Sequence, residues 1–150
     1  MHAMSPSAEL VNYYARCHCG ALSASYRTTI ATSSWPMRLC QCAFCRAHGA
    51  TSTSDPAGEL TFAAAESALL QRYQFGTRSA DFLICRACGV FMGAVMTIDS
   101  RRWGVLNVRT VQPIPLDLPP AQAMSYDGEA SSSRAERRTQ RWTPLTAESL

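Results

Sequence analysis

Seven cysteines in a chain of 150 residues stand in three tight groups: Cys17-His18-Cys19-Gly20, Cys40-Gln41-Cys42-Ala43-Phe44-Cys45 and Cys85-Arg86-Ala87-Cys88-Gly89. No other feature restricts the fold as strongly. An odd count argues against a disulfide framework, in which one sulfur would be left over. In extended backbone residues i and i+2 project to one side, so a C-x-C pair offers both sulfurs to one ion, and a C-x-x-C pair followed by glycine does so around a tight turn. Zinc takes four ligands in a closed structural site, and three plus an open position where it does chemistry. A division into four and three uses every cysteine: Cys17, Cys19, Cys85 and Cys88 around one ion, Cys40, Cys42 and Cys45 around another. Counting leaves two alternatives open, a single four-cysteine site from the middle and last groups, or His48 closing the second site. His18, between two ligand cysteines, is expected to point away. A redox C-x-x-C is disfavoured because Cys88 leads into Gly89 and an apolar run instead of a helix.

The length suits one domain, and with 47% hydrophobic and 17% charged residues the chain has enough apolar material for a core. All 14 basic residues are arginine. Without lysine, a Schiff-base mechanism or a lysine general base is excluded. The formal charge of +3 does not argue for a polyanionic partner, because seven thiolates on two divalent ions bring it to zero. The longest apolar runs, such as Val90 to Met96, are far below the roughly 20 residues of a membrane span. The opening MHAMSPSAEL has neither a basic start nor an apolar stretch of signal-peptide length, so a cytoplasmic location is expected.

Along the chain, residues 1–14 read as a mostly polar lead-in. Leu22, Ala24 and Tyr26 alternate with Ser23, Ser25 and Arg27, the period of a half-buried strand. Further strands are expected at Trp35 to Cys40, Leu69 to Phe75, Asp81 to Cys85, Val90 to Met96 and Gly104 to Val111. A helical turn should close at Gly49, and a tight turn at Asp55-Pro56-Ala57-Gly58. Many short strands with little helix predict a mainly β domain over 15–112. Four prolines between Gln112 and Ala121 exclude regular structure there, so the compact domain is expected to end near 112. The remainder, 113–150, is a proline-rich segment and tail with one short helix, Ser133 to Trp142, opened by a capping box of Ser133 and Glu136.

The pieces CHCGALSASYRT at 17–28, CQCAFCRAHGA at 40–50 and YQFGTRSADFLICRACGVFM at 73–92 together resemble the GFA family, the glutathione-dependent formaldehyde-activating enzymes and their relatives, which include centromere protein V. They follow the family's order and spacing over roughly residues 15 to 111. The resemblance implies an Mss4-like or β-tent zinc fold, a structural zinc on Cys17, Cys19, Cys85 and Cys88, and a more labile zinc on Cys40, Cys42 and Cys45. It also implies a carbon–sulfur lyase chemistry, run in the direction that condenses glutathione with formaldehyde. Relatives often carry a basic residue after the arginine of the middle motif, whereas here Arg46 is followed by Ala47.

A zinc held by three thiolates with an open position can deprotonate an incoming thiol or polarise an aldehyde oxygen. On this reading the partners are a small-molecule thiol and aldehyde, with no membrane. Arg46 and His48 are the candidate substrate-binding residues, placed to meet a carboxylate or shuttle a proton. A homo-oligomer is left open. The competing class is a non-enzymatic zinc module for a protein or nucleic acid partner, supported by RAERRTQRW in the tail. Nucleic acid is disfavoured, since Glu136 dilutes that charge and a solvated helix packing Trp142 on the domain accounts for the segment.

Overall fold

Leu22, Ala24, Tyr26 and Thr28 are buried at every second position, and the run forms a strand with one face in the core. The computed structural model describes residues 9–150. Its strands are β1 (Val11–Arg16), β2 (Leu22–Thr28), β3 (Arg38–Cys40), β4 (Ser52–Thr53), β5 (Glu59–Ala64), β6 (Leu70–Tyr73), β7 (Asp81–Cys85), β8 (Phe91–Ile98), β9 (Arg101–Asn107), β10 (Gln122–Met124) and β11 (Thr143–Pro144). Helix α1 (Ala43–His48) follows β3, and α2 (Ser131–Arg141) lies between β10 and β11.

Two sheets result, and the domain is mainly β as expected. One has three strands in the order β1-β2-β5; the other runs β10-β3-β4-β9-β8-β7-β6, with β11 on β9. Among the named strands all pairings are antiparallel except β10 with β3. The inner faces meet over a core that includes Leu22, Tyr26, Leu60, Phe62, Leu83, Met92 and Leu106, each at most 2% exposed. Trp35 closes one end, its ring edge-on to Tyr13 and Tyr26 at centroid distances of 4.8 and 5.3 Å. Its indole N–H donates to the Ile30 carbonyl.

Several boundaries differ from the sequence reading. Residues 11–16, read as part of the lead-in or its edge, form β1 and pair along the whole of β2. Strand β5 was not anticipated; Leu60 and Phe62 alternate inward, and their burial depends on β2 beside them. The strand expected from Trp35 begins only at Arg38, because Thr32–Ser34 form a 3-10 turn and Pro36 has no N–H to donate. The Asp55–Gly58 turn forms as expected, with Gly58 N–H on the Asp55 carbonyl and Ala57 N–H on its carboxylate.

The largest correction concerns the boundary at 112. The proline-rich stretch is irregular as far as Ala121, but the chain then returns to the domain. Strand β10 adds to β3, and β11 adds to β9. The last residues lie against β5: Thr146 N–H donates to the Leu60 carbonyl and Leu150 N–H to that of Phe62. The Arg102 guanidinium donates to the carbonyls of Thr146, Ser149 and Leu150 at 2.7–3.0 Å. Trp142 is buried in a second apolar cluster with Met96, Trp103 and Val105, which fulfils the expectation that it packs on the domain. The helix before it starts at Ser131, not Ser133; Ala130 occupies the cap and no side chain caps it, so the capping box does not form.

Candidate metal centres and the adjoining cavity

The first and last cysteine groups fold into matching knuckles. Cys17 N–H donates to the Leu22 carbonyl and Cys85 N–H to the Val90 carbonyl, the same offset in each. Both turns use a glycine at positive φ, Gly20 at 83° and Gly89 at 82°, a conformation that a Cβ would strain. The first knuckle joins β1 to β2 and the second β7 to β8, so each sheet contributes one. The sulfurs of Cys17, Cys19, Cys85 and Cys88 all lie within 4.8 Å of one another. Cys19 Sγ is 3.7 Å from both Cys17 Sγ and Cys85 Sγ. That is far beyond a disulfide's length of about 2 Å. It matches the spacing of about 3.8 Å between sulfurs that surround a tetrahedral ion at about 2.3 Å. Leu22 N–H also donates to Cys17 Sγ, a charge-assisted bond once the sulfur is ionised. His18 is exposed and stands outside the cluster.

The middle group gathers around the start of α1. Cys40 ends β3, Cys42 is the residue that caps α1, and its Sγ accepts the Cys45 N–H at 3.4 Å. Cys40, Cys42 and Cys45 bring their sulfurs within 4.8 Å of one another, with no fourth His, Cys, Asp or Glu among the described residues in the group. The helix ends at Gly49, as the sequence implied. Both clusters can therefore hold a metal ion, and the division is four and three.

The thiols of the two clusters titrate unevenly. A hydrogen bond from the Cys45 thiol, with help from Cys42, holds Cys40 down at about 5 against burial. The same bond, with burial and the Cys40 charge, pushes Cys45 up. In the other cluster, burial pushes Cys88 up, but backbone N–H groups at Cys19 and Val90 together with the Cys17 and Cys85 thiols outweigh it, and the result is about 6. Thiolate is the form that binds metal.

The two clusters differ in what surrounds them. A cavity of about 150 Å³ opens beside the three-sulfur cluster and is lined by Cys40, Cys42 and Cys45, whereas none of the other four cysteines lines it. Phe75, Phe82, Phe91 and Trp142 supply an apolar wall. Phe44 of α1 packs on Phe75, Phe82 and Phe91 at centroid distances of 4.8–5.2 Å. Four arginines complete the lining: Arg38 on β3, and Arg134, Arg137 and Arg138 on α2.

Arg46 and His48 are placed differently. Both are exposed on α1, and neither lines the cavity. The His48 ring lies tilted against Phe44 at 4.5 Å and approaches Phe91 at 5.6 Å. The cavity arginines were missed by the sequence reading, although their spacing at 134, 137 and 138 marks one face of a helix. They do not form a solvated face: Arg138 is buried, and Arg134 and Arg137 are half-buried and ion-paired with Glu129.

No protein-family model and no curated protein matches this chain. A structural-genomics crystal structure of a Rhodobacter sphaeroides protein is similar, with 26% identity and a TM-score of 0.57 over 74% of this chain and 99% of that one. No helix among the described residues is long and apolar enough to cross a membrane.

Proposed function

We propose that this chain is a zinc-dependent carbon–sulfur lyase of the glutathione-dependent formaldehyde-activating type, joining a thiol to a small aldehyde beside Cys40, Cys42 and Cys45. The observation that carries the reading is the asymmetry of the two clusters: four sulfurs gathered away from the cavity, three on its wall. The motif resemblance at 17–28, 40–50 and 73–92 supports the choice of reaction. Both clusters fit zinc in that all their donors are thiols within 4.8 Å of one another, and in the four-cysteine cluster the 3.7 Å separations suit tetrahedral sulfur coordination.

When bound at the trio, zinc with an open position would lower the pKa of a thiol and act as a Lewis acid. The reaction itself forms one S–C bond and moves the thiol proton to the aldehyde oxygen, without oxidation or reduction. The chain's own groups orient and shield the reactants. Phe75, Phe82, Phe91 and Trp142 exclude water from the wall, which strengthens every charge interaction inside. Cys42 fixes the start of α1 through its bond to Cys45 N–H, and so holds two of the three sulfurs in register. Arg46 and His48, exposed on the helix that bears Cys45, act at the approach to the centre, outside the cavity.

Exchange NMR of glutathione with formaldehyde tests the proposal. The zinc-loaded protein should accelerate exchange, and a mild chelator or Cys42→Ser should abolish the gain. No acceleration by protein carrying zinc at both clusters would overturn it.

A further inference from the structure

Arg138 is 93% buried, since only 7% of it is exposed, and it lines the cavity that contains the cysteine trio. Burying a guanidinium without a carboxylate is costly unless something else answers its charge. Its contacts are one bond from Nη1 to Ser79 Oγ at 2.9 Å and the face of Trp142 at 4.7 Å. Its Nε is buried with no hydrogen-bond partner. Glu129 acts on it from a distance, but that carboxylate is already committed to Arg137 at 3.0 and 3.1 Å and to Arg134 at 3.6 Å. The Cys40 thiolate also acts on it, and a divalent ion on the trio would largely cancel that charge.

Arg38, half-buried, lines the same cavity. It bonds Ser54 Oγ, and among the described residues it makes no ion pair. Asp127 is exposed on the cavity lining and pairs with neither arginine. The cavity thus has three distinct parts: sulfurs, an aromatic wall, and two guanidiniums with unspent donors.

We propose that Arg138, with Arg38, is the carboxylate-recognising pole of this cavity, so that the thiol it accepts carries a carboxylate. Two planar donor forks suit a two-oxygen anion, and the water-poor lining raises what each bond contributes. The carboxylate role stands on the geometry of the arginines; that the ligand is a thiol rests on the reading under Proposed function. Arg138 is a specificity-determining residue in this scheme and takes no part in forming the S–C bond.

The test compares N-acetylcysteine with N-acetylcysteine amide, which differ only in the carboxylate, by calorimetric binding to the zinc-loaded protein. The acid should bind about tenfold more tightly or better. Arg138→Gln and Arg38→Gln should erase that preference, and Arg138→Lys should restore part of it. Arg141→Gln, on an exposed residue outside the lining, should leave it intact. A melting curve on each variant separates misfolding from lost recognition, and Arg38→Gln tests the pole without touching α2. Equal binding of acid and amide, or a preference that survives both glutamine variants, overturns the proposal. An acid preference without any acceleration of formaldehyde exchange would keep the pole and remove the lyase reading. Acceleration equal for acid and amide would do the reverse.

Discussion

Replacing Cys85 with serine should cost far more stability than replacing Cys42, and the difference can be worked from where the sulfurs sit in the chain. Cys19 and Cys85 are 66 positions apart, with their sulfurs 3.7 Å apart. A cross-link over a loop of that length removes about 4 kcal/mol of unfolded-state entropy in the chain-closure relation, and a metal clip acts on the same term. With an unfolding entropy of about 0.3 kcal/mol/K for a domain this size, Cys85→Ser should lower Tm by about 13 K. The trio lies entirely between Cys40 and Cys45, so it closes a loop of a few residues and the same relation gives at most about 2 kcal/mol, or about 6 K. Metal content of zinc-loaded protein after desalting, measured by mass spectrometry, should fall from two ions per chain to one in either variant, since each cluster can hold one ion. Thermal melting followed by circular dichroism reads the stability. The reasoning fails if Cys42→Ser lowers Tm as far as Cys85→Ser, or if Cys85→Ser melts with the parent.

Gly93→Ala places a Cβ 2.2 Å from the Val105 carbonyl oxygen and 2.7 Å from Phe62 Cζ, where β8 faces β5. It should destabilise by about 3 kcal/mol in urea unfolding, and an unchanged midpoint would refute the packing. Trp142→Ala, which empties a site 6% exposed, should cost about 3 kcal/mol by the same assay. Deletion of 113–150 should abolish the cooperative melt, because β11 and the residues after it cover β5 and β9; a truncated chain that melts sharply would restore a boundary at 112.

The cysteine clusters were legible because the spacing of their sulfurs is local: each knuckle is complete within a few residues. The strand at 22–28 was legible for the same reason, its alternation being written in consecutive side chains. What escaped was non-local. Leu60 and Phe62 form a strand because β2 lies beside them, and the hydrogen bonds that tie β5 to Thr146, Ser149 and Leu150 span more than 80 positions. No periodicity within 143–150 announces that contact. The arginines of α2 had a usable signal in their i, i+3, i+4 spacing, but a charged stripe points outward by default. Only the Trp142 anchor and the Glu129 pairing turn it toward the sulfurs.

Strand β10 joins the larger sheet through only three residue pairs, yet the stretch it introduces carries Tyr126 and three of the cavity's four arginines. Scaffold and cavity lining are therefore carried by largely separate parts of the chain. Exchanges along one face of α2 would reshape the cavity wall while leaving the ladders and the knuckled sulfurs as they are.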